Sequence, residues 1–128
     1  MPMKRVPLGV IVISVIIFFV AVATDIFWLA RLLGNAFPPT MPVDIDVYNA
    51  FALPDIVLSL FLYIGAFGLL RLRKYGFVAA LSGMGMWIFD SLLVLGITKL
   101  SRINIVGPCL LFAFFSLGYL WVRREIFE

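Results

Sequence analysis

Long apolar runs separated by short polar breaks make up most of the chain. A spanning helix needs about 20 mostly apolar residues to cross about 30 Å of hydrocarbon, and four stretches meet that length. The first runs from Pro7, which suits a helix opening because it has no N–H to satisfy, to Leu33, where Gly34 and Asn35 stop it. Its only charges are Asp25 and Arg31, and at about 1.5 Å per residue it reaches about 40 Å, so it must tilt or project. The second covers 48–72, with Pro54 and Asp55 near one end and no charge from Ile56 to Leu70. The third covers 75–97 and is interrupted only by Asp90, and the fourth covers 104–122 with Gly107-Pro108 near its start.

The breaks set the topology. Segment 34–47 carries Pro38, Pro39 and Pro42 and no helical period, which predicts an extended connector on the membrane surface. The other two connections are tight turns, which force neighbouring helices to run antiparallel. The expected fold is all-α: one domain, residues 1–128, with four transmembrane helices in an up-down-up-down bundle. With the N-terminus in the cytoplasm, Lys4, Arg5, Arg71, Arg73, Lys74, Arg123 and Arg124 lie inside, and Arg31, Lys99 and Arg102 lie outside. The positive-inside rule then predicts that both termini are cytoplasmic and that segment 34–47 is outside.

Composition supports the membrane reading and removes several chemistries. The 128 residues are 64% apolar and 13% charged, with a mean hydropathy of +1.15, far too few charges to cover a soluble domain. The expectation is a multi-pass protein of the plasma or cytoplasmic membrane. There is no histidine, which excludes bis-His haem, His-ligated zinc and a Ser/His/Asp triad. A lone Cys109 excludes an internal disulfide or a C-x-x-C redox pair and reads as a packing residue. The net charge of +3 belongs to helix ends, where it meets anionic lipid headgroups rather than nucleic acid. Lys4-Arg5, the run Leu8–Val20 and Ala21-Val22-Ala23 imitate a secretory signal peptide. The apolar character continues through Ile26-Phe27-Trp28-Leu29-Ala30, which favours a retained span.

Candidate chemistry lies in the acids inside the spans, because a carboxylate there costs several kcal/mol unless it is protonated, paired or hydrated. Counting about 1.5 Å per residue from the cytoplasmic end of each helix, Asp25 lies about 27 Å up, Asp55 about 24 Å and Asp90 about 22 Å. The three share a level in the outer half of the bilayer. At that level on the fourth helix, Pro108 leaves the Asn104 carbonyl without its helical donor.

Helical spacing puts Ser14, Phe18, Ala21, Asp25 and Trp28 on one stripe of the first helix, and Asp55, Ser59, Leu62, Tyr63 and Ala66 on one stripe of the second. On the third, Gly83, Trp87, Asp90, Ser91 and Val94 align, and on the fourth Cys109, Ala113 and Ser116. Small and weakly polar residues serve helix–helix approach, so these stripes predict a common interior. Converging acids would share a proton or recruit a cation. The expected ligand-binding residues are Asp25, Asp55, Asp90, Trp28, Trp87, Ser59, Ser91 and Tyr48, the aromatics contributing cation–π contact. Five of them also have a structural role open to them: Asp55 as a first-turn acid favoured by the helix dipole, Asp25 as a residue reaching toward the outer interface, Asp90 as a structural hydrogen-bonding residue, and Trp28 and Trp87 as belt or packing residues.

The sequence carries no family motif. Its length and four spans resemble the small multidrug transporters in outline, but that pattern has one acid near the middle of the first helix, whereas Asp25 lies far toward the outer end. Three functions stay open. The first is an outer-facing pocket that binds a cation, proton or small cationic solute, as a transporter or channel. The second is an accessory subunit, paired with another membrane protein or a second copy, and the third is a lipid-modifying enzyme using Asp55 and Asp90. No cofactor is expected, and the sequence leaves a metal open.

Overall fold

Each of the four apolar stretches is helical. The computed structural model describes residues 5–34 and 42–128. Helix α1 spans Leu8–Gly34, α2 Ile45–Ala50, α3 Ala52–Leu70, α4 Lys74–Ile97 and α5 Ile103–Val122, followed by one 3-10 turn at Arg124–Ile126. Because α2 and α3 run on as one apolar segment, Ile45–Leu70, four helical segments are long and apolar enough to cross a membrane.

The second segment begins three residues earlier than its sequence pattern predicts and ends two earlier. Asp44 starts it, its carbonyl accepting from the Tyr48 N–H at 2.9 Å. The expected extended connector at 34–47 is correspondingly shorter, since Gly34 belongs to α1 and residues 45–47 to α2; its stretch 35–41 lies outside the described residues. The interruption at Phe51 has a local cause. Pro54 has no N–H to give the Ala50 carbonyl, so Phe51 N–H turns to Tyr48 O at 3.2 Å and regular bonding resumes with Asp55 N–H to Phe51 O at 3.1 Å.

Helix α3 is central, packing against α1 on one side and α4 on the other, with α5 against α4. The α3–α4 approach is set by small residues: Gly68 meets Gly76, Gly65 meets Ala80 and Gly83 meets Leu62. Partner numbers rise on one helix as they fall on the other. The core joins Val10, Ile13 and Ile17 of α1, Leu58, Leu62 and Leu69 of α3, Ala80 and Met84 of α4, and Leu120 of α5. Outward faces remain apolar, with Phe19, Phe67, Phe89 and Phe115 exposed. Lipid is as apolar as those side chains, so close packing of small residues, rather than expulsion of water, holds such helices together.

Two helix ends use left-handed residues that are not glycine. Leu72 (φ 53°) closes α3, with Arg73 N–H on Gly68 O and Leu72 N–H on Leu69 O. At the end of α4, Lys99 (φ 52°) and Leu100 (φ 66°) do the same, Leu100 N–H reaching Leu95 O at 2.9 Å. Both satisfy the carbonyls that a helix end leaves orphaned. The chain end binds the first of these turns. Glu128 N–H donates to Leu72 O at 3.0 Å, Lys74 N–H donates to Glu128 O at 2.6 Å, and Phe127 stacks on Phe77 with centroids 5.2 Å apart.

Candidate functional site

The buried stripes of α1 and α3 bring their polar members together. Asp25, on the inner side of α1, receives a hydrogen bond from Ser59 Oγ at 2.6 Å and contacts the Tyr63 hydroxyl, also on α3. Ser59 Oγ lies 2.7 Å from the Ile56 carbonyl as well, so its single proton serves one acceptor at a time. One turn along α1, the Trp28 indole N–H donates to Asp55 Oδ2 at 2.7 Å. Both carboxyls of this pair of helices thus point inward, although Asp55 also sits in the first turn of α3.

Asp55 faces a third element. Its carboxyl interacts with that of Asp90 on α4, while Asp90 Oδ2 is enclosed and meets no hydrogen-bond donor among the described residues. A cavity of about 190 Å³ opens at this contact, lined by Asp55, Asp90, Thr24, Trp87, Ser91 and Val106, among others. All four spans contribute: Thr24 from α1, Asp55 from α3, Trp87, Asp90 and Ser91 from α4, and Val106 from α5 beside Pro108. Trp87 leans on Phe112 of α5 with centroids 6.0 Å apart.

The expected site therefore divides. Asp55, Asp90, Trp87 and Ser91 share the cavity, and Trp28 touches it through its bond to Asp55. Asp25 and Ser59 form an adjoining polar contact between α1 and α3 and are not part of the cavity wall. Asp25 is turned toward Ser59 and Tyr63 rather than toward the outer interface. Among the described residues, no three of Asp, Glu, Cys or His come together as a metal-ligand set, so the three acids do not form one cage.

Tyr48 is also set apart. It is buried with Trp28 and Ala52 in a second apolar cluster, its ring 5.8 Å from that of Trp28. The Arg31 guanidinium lies 5.1 Å from the Tyr48 ring centroid. Arg31 lies in the last turn of α1, as its sequence position implies, but it is only 5% exposed and so is packed against protein rather than set among lipid headgroups. The reason is spacing: Arg31 follows Trp28 by three residues, so both share a face, and the Tyr48 ring offers the cation its negative π face.

Sequence reasoning missed Thr24 and Val106 in the cavity and Arg31 beside Tyr48. Thr24 could have been found, since it precedes Trp28 by four residues. Val106 carried no signal, because one apolar side chain among many on α5 marks no particular face. Comparison with family models, curated proteins and solved structures found no match.

Proposed function

We propose that this chain is a four-span membrane protein, up-down-up-down with both termini cytoplasmic, whose Asp55–Asp90 cavity binds a proton or small cation from the outer side, as a transporter or channel. The orientation is supported by the basic residues at the α3–α4 turn and at the end of α5. That the N-terminal end of α1 lies by the C-terminal end of α5 is supported by Gly9, which abuts Tyr119.

One observation carries the functional reading: two carboxyl groups from separate helices interact at a cavity that also presents Thr24 and Ser91 among apolar spans. Both are acceptors when ionised, and at low dielectric two negative charges in contact repel strongly. A proton or cation between them relieves that repulsion, and the cavity is large enough to admit one with water. The aromatic wall at Trp87 suits a cation through its π face.

The test is Asp90→Asn in proteoliposomes, with Trp fluorescence read against pH, Na⁺, K⁺ and tetramethylammonium. Wild type should respond to pH and to at least one cation, and Asp90→Asn should lose both responses while keeping native ellipticity. A folded Asp90→Asn protein that responds as wild type does would sink the proposal. The accessory-subunit reading has one observation in its favour: α5 is the least buried of the four spans, leaving a face for another subunit or a second copy. It would gain if Asp90→Asn left the cation response intact while substitutions on the outer face of α5 released co-purifying chains.

A further inference from the structure

Asp90 lines a second space. On the outward side of α4, a groove of about 630 Å³ runs between α4 and the α2–α3 junction, lined by Val47, Phe51, Gly85, Phe89, Asp90 and Leu93, among others. Its wall is almost wholly apolar, and among the described residues Asp90 is its one ionisable member. Val47, Phe89 and Leu93 are exposed, so the groove opens where a membrane protein meets acyl chains. Phe51 and Asp90 belong to both this groove and the inner cavity. The groove exists because α4 is bare there: a Cβ built on Gly85 meets nothing within 4 Å.

An acyl chain would fill such a groove without using a carboxyl group. A bare metal ion would use the carboxyl group but not the groove, and would find no third acidic ligand among the described residues. A ligand with a positive head and an apolar body satisfies both at once, and the volume falls within the range of about 300–1,000 Å³ typical of small-molecule sites. Resting on the acid-site reading above, we infer that the ligand is an amphiphilic organic cation which reaches Asp90 sideways from the bilayer, its ammonium group at the carboxylate and its hydrocarbon body between Phe51 and Phe89. Charge complementarity chooses the head and the apolar wall chooses the tail.

The experiment uses the full chain in phosphatidylcholine nanodiscs, with empty nanodiscs as the partition baseline. The probes are octyltrimethylammonium, tetramethylammonium and 1-octanol, and binding is followed by Trp fluorescence and calorimetry. Octyltrimethylammonium should saturate at least tenfold more tightly than tetramethylammonium, 1-octanol should not saturate, and Asp90→Asn should abolish the octyltrimethylammonium signal. Gly85→Leu, which places a side chain in open space, should weaken octyltrimethylammonium at least tenfold and leave the tetramethylammonium and pH responses at wild-type values. Ser82→Leu, on the same wall, serves if Gly85→Leu fails to fold. Unchanged octyltrimethylammonium binding in a folded groove variant overturns the inference, as does saturable binding of 1-octanol with equal strength. If tetramethylammonium and pH still act through Asp90 in that case, the acid-site reading survives alone. If Asp90→Asn changes none of the responses, both fall.

Discussion

Gly65→Ala adds one methyl group where α3 and α4 are closest, and the structure gives the size of the disturbance. A Cβ at Gly65 would stand 2.8 Å from both Cα and N of Ala80 and 2.9 Å from its Cβ, whereas ordinary contact begins at 3.4 Å. Neither backbone atoms nor an alanine Cβ have a rotamer to change, so α4 must retreat by about 0.6 Å to restore ordinary contact. A gap of that size forfeits a quarter to a half of the dispersion between facing atoms, and those atoms include Leu62, Leu69, Phe77 and Met84 of the core.

Overpacking of this kind costs about 3 kcal/mol, offset by about 1 kcal/mol because Ala favours helix over Gly. The net expectation is a loss of about 2 kcal/mol. Gly85→Ala on α4 is the internal control, since its Cβ meets nothing within 4 Å, and it should gain about 0.5–1 kcal/mol. Equilibrium unfolding by dodecyl sulfate in mixed micelles, followed by ellipticity and Trp fluorescence, reads both. Midpoints that move in the same direction for the two variants would refute the packing argument. So would a Gly65→Ala protein as stable as wild type.

Two further substitutions probe other parts of the structure. Trp28→Phe keeps a ring against Phe27 and Tyr48 but removes the indole N–H from Asp55, and should cost about 1 kcal/mol in the same unfolding assay, because a part-buried acceptor loses its donor; an unchanged midpoint would mean that the indole does not hold Asp55. Lys99→Gly should stabilise by about 0.5–1 kcal/mol, because Lys99 is exposed and held at φ 52°, a region that costs an L residue more than glycine; a lower midpoint would show that the side chain contributes more than its backbone strain.

Helix positions were legible because the signal is local. Four apolar runs, ended by Gly34, Arg71, Thr98 and Arg123, reflect what hydrocarbon demands of any backbone that crosses it. The early start of the second helix was less legible, since the polar residues Asp44, Asp46 and Asn49 mask helical backbone at Ile45–Ala50. The inward direction of Asp25, Asp55 and Asp90 was also readable, from helical spacing alone. Spacing names a face, however, and not the neighbour that the face will meet.

That neighbour depends on which helices pack. With α3 placed between α1 and α4, Asp55 can reach Trp28 on one side and Asp90 on the other, whereas Asp25 on α1 reaches α3 at Ser59 and Tyr63. A common height along four helices thus resolves into one acid pair and one separate acid. Arg31 makes the same point: its position near a helix end suggested lipid headgroups, and packing placed it over Tyr48. The amino-acid order settles which segments are apolar, where they end and which residues share a stripe, because those depend on neighbours within one or two turns. Only the tertiary fold decides which acids meet and which one borders a lipid-facing groove, because those depend on how far Gly65, Gly68 and Gly76 let separate helices approach.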